Sequence, residues 1–139
     1  MTAPGTLRVL IVNDLAPAPG SGAEIHIARL ADALSSEGHE VRFFAGERTH
    51  RGAAKVFDLW DPGARTALRL EAAGFRPHVV HFHNVTRELS GSVFGAVRGA
   101  ARVLTVHDPR ILGRPDGPTG APLDAQPLRA IKNAKAGME

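Results

Sequence analysis

Leu7-Arg8-Val9-Leu10-Ile11-Val12 is an apolar run, broken only by Arg8, that is rich in branched side chains and too short for a helix. Such a run reads as a strand covered on both faces, as in a parallel sheet. The residues after it extend that reading. Asn13 to Gly22 forms a loop with Pro17, Pro19, Gly20 and Gly22. From Ala23 to Glu37 the apolar positions Ile27, Leu30, Ala31 and Leu34 recur at helical spacing, and Ile25 and Ala28 widen the stripe. Glu24 stands in the first turn, where the helix dipole favours negative charge, and Gly38 offers a left-handed residue to end the helix. Glu40-Val41-Arg42-Phe43-Phe44 is then a second strand, which completes a right-handed βαβ unit.

Further along, Val56 to Trp60 reads as a short strand or a packed loop. Pro62 to Gly74 reads as a helix opened by Asp61-Pro62 and stopped by Gly74, with Ala64, Ala67, Leu68 and Leu70 apolar. His78-Val79-Val80-His81-Phe82-His83 is a third strand, introduced by Pro77. Leu89 to Ala100 is predicted as a helix capped near Ser90 or Ser92, with Val93, Phe94 and Val97 facing inward. Arg102 to His107 is a fourth strand, Pro109 to Pro127 has loop chemistry, and Leu128 to Ala136 is a short helix. The alternation predicts an α/β chain with an open, parallel, doubly wound, Rossmann-like sheet. It assigns that sheet to residues 1–108, and makes 109–139 a loop plus short helix that continues the same domain incompletely.

Composition sets the outer limits. The 139 residues are 43% hydrophobic and 22% charged, the range of one soluble globular domain. Mean hydropathy is −0.10. No apolar run nears the roughly 18 residues of a membrane span, and Met1 to Leu7 lacks the basic and apolar regions of a secretory signal, so a cytoplasmic protein is expected. The absence of cysteine removes disulfides, thiolate metal sites and thiol catalysis. Seventeen Lys and Arg against 14 Asp and Glu give a net charge of +3, and the excess falls in residues 71–139. No basic stripe interleaved with aromatics accompanies it, so nucleic acid is not an expected partner.

In an open α/β sheet, ligands sit beyond the carboxyl ends of the strands. Three strands here end in hydrogen-bonding side chains: Asn13-Asp14, His83-Asn84 and His107-Asp108. Pro19-Gly20-Ser21-Gly22-Ala23-Glu24 opens the first helix, where unpaired N–H groups can meet a phosphate. A dinucleotide fingerprint fits poorly, because Ile25 replaces the third glycine and seven residues separate the strand from Gly20. His81-x-His83 with His107 leaves a metal-dependent hydrolase open as an alternative, and a non-catalytic module that binds a sugar or nucleotide is another.

Taken in order, these motifs resemble family 4 glycosyltransferases. Val9 to Val12, the loop Pro19 to Glu24, His26, Leu30-Ala31-Asp32-Ala33-Leu34 and Gly38-His39-Glu40-Val41 resemble the start of that family. Arg76 to Asn84 and Val103 to Asp108 resemble its next two signature strands, so the likeness runs in register from residue 7 to about 108. The resemblance implies a GT-B enzyme, in which two Rossmann-like domains face across a cleft, one for the acceptor and one for a nucleotide-sugar donor. Transfer would retain anomeric configuration, with no metal ion and no cofactor beyond the nucleotide-sugar co-substrate. The chain would be the N-terminal, acceptor-side domain, and its partners a sugar or lipid-linked acceptor, the nucleotide-sugar and a separate donor-domain chain. Attachment at the inner face of a membrane would fit such an acceptor.

Residue by residue, the resemblance makes His107 the catalytic strand-end histidine near the reacting sugar. Gly20, Ser21, Gly22 and Glu24 would form the donor diphosphate loop, and Asn13, His26, His83, Asn84 and Asp108 would line the cleft. Ser21 stands where the family commonly has a second glycine, and His78 where Asp is usual. Nothing up to Glu139 resembles the donor domain, so the chain alone is expected to be inactive.

Overall fold

The computed structural model describes residues 5–14, 22–46, 60–85 and 89–107. The chain divides into two compact units, Met1–Thr105 and Val106–Glu139. In the first, the elements run β1 (Arg8–Asn13), α1 (Gly22–Ser36), β2 (Glu40–Ala45), α2 (Pro62–Phe75), β3 (Val79–Phe82), a 3-10 turn (Gly91–Gly95) and β4 (Ala101–Leu104). The four strands form one parallel sheet in the order β2-β1-β3-β4. No helix among the described residues is long and apolar enough to cross a membrane.

β1 is covered on both faces, as its continuous apolar run requires. Val9 and Ile11 pack with Ile27 and Ala31 of α1, joined at the rim by Leu34, Val41 and Val79. Leu10 and Val12 point the other way, into a larger core with Leu68, Ala72 and Phe75 of α2, Val80 and Phe82 of β3, and Val93 and Val97. The period-two alternation of a strand thus divides one sequence run between two layers. β4 lies at the sheet edge, where Val103 and Leu104 are 43% and 48% exposed.

The helix ends show which local signals prevailed. Asp61 caps α2, its Oδ1 accepting from the N–H groups of Gly63 (2.8 Å) and Ala64 (3.0 Å), with Pro62 in the first turn. Asp61→Ala should therefore lower stability by about 1 kcal/mol, read as a shifted urea midpoint at unchanged slope. Gly74 does not stop this helix. The helix continues through Phe75, which is buried, and the left-handed residue is Arg76 at φ 50°. Two contacts stabilise that strained position: the Arg76 N–H donates to Ala72 O at 2.7 Å, and Arg8 Nε donates to Arg76 O at 2.8 Å. Leu70 faces solvent rather than the core. α1 does end as expected, with Gly38 left-handed at φ 86°.

The helix predicted over Leu89 to Ala100 is only a short 3-10 turn, Gly91–Gly95, capped by Ser90. Gly91, Gly95 and Gly99 recur through this stretch, and each weakens an α-helix by about 1 kcal/mol relative to alanine. Side-chain bonds hold the alternative conformation. Ser90 Oγ accepts from the Asp61 N–H (3.0 Å), Ser92 Oγ donates to Asp61 O (2.8 Å), and the two hydroxyls lie 2.8 Å apart. Val93 and Val97 still reach the core, so the inward face is kept without the helix. Val56 to Leu59, Pro109 to Pro127 and Leu128 to Ala136 lie outside the described residues.

Candidate functional site

From β1 the chain moves to β2 on one side, then returns across β1 to β3 on the other. The carboxyl ends of β1 and β3 therefore flank the point where strand order reverses, which is where ligands settle in open α/β sheets. Asn13, Asp14, His83 and Asn84 stand at those two ends.

Asp14 ties three loops together. Its N–H donates to Asn84 O at 2.6 Å, its carbonyl accepts from the Gly46 N–H at 3.0 Å, and its Oδ1 accepts from the Leu89 N–H at 3.0 Å. The segments after β1, β2 and β3 are thereby fixed to one another. Asn13 acts similarly, its Oδ1 accepting from the Asn84 N–H at 3.1 Å. Both residues are buried, so they brace the strand ends from within.

The face toward α1 carries a row of imidazoles. His83 is fully buried, and its ring stacks on His81 with centroids 4.2 Å apart. His26, on the second turn of α1, approaches His83 edge-on at 6.2 Å. His81 Nε2 lies 2.8 Å from Thr105 Oγ1, which joins β3 to the segment after β4. This arrangement can offer ring nitrogens to hydroxyl groups near the α1 end of the row. Among the described residues no three His, Asp or Glu side chains converge to hold a metal ion.

The predicted site residues are placed as follows. Gly22 is the first residue of α1 and is exposed, and a Cβ built on it would meet nothing within 4 Å. Glu24 is half-buried in the first turn, His26 is exposed, and Asn84 is half-buried. The contacts of His26, His83, Asn13 and Asn84 link α1, β3 and β1 around the switch point. His107 belongs to the second unit and is half-buried. Gly20, Ser21 and Asp108 lie outside the described residues. Sequence reading did not single out Thr105 or the three-loop role of Asp14, because their partners are distant in sequence.

A four-stranded parallel sheet with helices on both faces and polar strand ends at its switch point can serve many chemistries, so the fold alone does not fix the reaction. The model of Glycosyltransferase Family 4 matches residues 20–134, from the glycine loop before α1 across β2, β3 and β4. No curated protein and no solved structure matches the chain. The family match covers more than four fifths of the sequence and includes the loop, the imidazole row and His107, and on that ground the chain belongs to glycosyltransferase family 4.

Proposed function

We propose that the chain is the acceptor-side part of a retaining glycosyltransferase that uses a nucleotide-sugar, with the N-terminus of α1 meeting the donor diphosphate. The observation that carries this is Gly22. Packing does not demand a glycine there, since a Cβ would meet nothing within 4 Å and φ is ordinary. A glycine at an open helix N-terminus is explained by close approach of a ligand to the backbone, and the helix dipole there favours an anion. Gly20, Ser21 and Glu24 complete the proposed loop. His26, His83, Asn13, Asn84 and Asp108 line the proposed cleft, and His107 holds hydroxyls of the reacting sugars. The family places its donor grip in a second Rossmann-like domain that maps onto none of these 139 residues, so by themselves they are proposed to transfer no sugar. Cytoplasmic residence, with a sugar or lipid-linked acceptor, belongs to the same reading.

Uridine and guanosine diphosphate titrated into the 15N-labelled chain should shift the amides of residues 20–24. Gly22→Phe should abolish those shifts at unchanged Tm, because the fold leaves room for the side chain. Shifts confined to His81 and His83, or tight retention of zinc, would replace this reading with a metal-dependent hydrolase. Sugar transfer by the 139 residues alone would overturn the claim that they are inactive.

A further inference from the structure

At the opposite end of the sheet lies a cavity of about 750 Å³ between α2, the 3-10 turn and the segments leading into β1, β3 and β4. Arg8, Arg65, Arg69, Arg76 and Arg98 line it together with His78, and among the described residues none of its lining is a carboxylate. Five guanidinium groups around one cavity repel one another unless an anion lies among them.

The hydrogen bonds of Arg8 and Arg65 run to neutral groups. Arg65 donates to Ser92 O (2.8 Å) and Gly95 O (3.1 Å), and Arg8 Nε donates to Arg76 O (2.8 Å). These bonds fix the guanidinium planes, and among the described residues no carboxylate pairs with them. The contact between Arg8 and His78 is more informative. His78 Nδ1 lies 3.0 Å from the Arg8 backbone N–H, and Nε2 lies 3.2 Å from Arg8 Nη2. A neutral imidazole has one acceptor nitrogen, so it satisfies only one of these two donors. With Nδ1 accepting from the backbone, Nε2 carries a proton and faces a second N–H donor. Two donors side by side are relieved by an oxyanion that accepts from both.

We propose that this cavity binds a phosphoanion of two or more charges, at a site separate from the one at the strand carboxyl ends. The planar fork of arginine matches paired phosphate oxygens, and the volume is in the range of small-molecule sites. β1 runs from Arg8 at this cavity to Asn13 at the switch point. Six residues of strand put the two sites roughly 17 Å apart, so they can fill independently.

The test uses inorganic pyrophosphate as probe on the full chain, followed by calorimetry and amide shifts at fixed ionic strength. Saturable binding should shift the amides of Arg8, Arg76, His78 and Arg98, and Arg76→Gln combined with Arg98→Gln should weaken it about tenfold or more. Both side chains belong to exposed residues, so Tm should not change. The single variant His78→Phe should also weaken binding, because it removes the Nε2 donor. Vesicles of phosphatidic acid, a lipid phosphomonoester that can carry two charges, or of phosphatidylcholine distinguish the natural source. Capture by the anionic vesicles alone, lost in the double variant, assigns a lipid headgroup, whereas pyrophosphate binding without capture assigns a free phosphorylated molecule. Shifts spread over all arginines and reproduced by sodium chloride, or pyrophosphate affinity unchanged in the double variant, would overturn the proposal.

Discussion

Leu10→Ala should destabilise the chain by about 3–5 kcal/mol. Leu10 is fully buried in the central strand, with Arg42 beside it on β2 and Val80 on β3. Its side chain joins the core formed by Leu68, Phe75 and Phe82, so truncation opens a cavity that the two neighbouring strands cannot close. A loss of that size is a large fraction of the 5–15 kcal/mol typical of a domain. Urea titration should show it as a lower midpoint, with the matched control Leu70→Ala changing by less than about 0.5 kcal/mol. Leu70 is 71% exposed on α2, so the pair compares one substitution in two environments. Equal effects at the two positions would refute the placement of β1 at the centre of the sheet.

His107→Ala should lower sugar transfer about 100- to 1000-fold in a form of the protein joined to a donor domain, the cost of one hydrogen-bonding group at a reacting centre. The effect should fall on kcat more than on KM, because the imidazole is proposed to act on hydroxyls as charge develops. His107→Gln keeps a donor and acceptor without a titratable ring, and should recover part of the rate. A fall confined to KM would make His107 a binding group only. No change in either constant would remove it from the site. His39→Ala, a substitution at the turn after α1 whose ring contacts Leu7 N–H, serves as the control and should leave the rate unaffected.

Parts of this structure can be read from local sequence and parts cannot. Burial on both faces writes itself onto consecutive residues, so Val9 to Val12 announce both the strand and the parallel sheet. The start of α2 is equally local, since Asp61 and Pro62 act on the next two amides. Its end is not. Whether Gly74 or Arg76 takes the left-handed conformation depends on burying Phe75 and on Arg8, which lies nearly seventy positions earlier. Around the 3-10 turn, Val93, Ala96 and Val97 have helical spacing because a core face needs them, whatever backbone carries them. The polar strand ends were legible, but the bond from Asp14 to Leu89 spans 75 positions. The basic cavity gave no signal at all. Arg8, Arg65, Arg69, Arg76 and Arg98 are scattered over ninety positions, and only the strand order collects them.

The central place of β1 also has a consequence for how the chain is made. Ribosomes deliver Leu10 to Val12 before their partners, because the β3 residues that pair with them, Val80 to Phe82, emerge 70 residues later. At about 5–20 residues per second the nascent strand waits roughly 4–14 s for that side of its pairing. During this time an uncharged, β-prone stretch is free to pair with the same stretch on a neighbouring polysome. The yield of correctly folded protein should therefore depend on chaperones that shield β1 as it leaves the exit tunnel, and slower synthesis would lengthen the exposure.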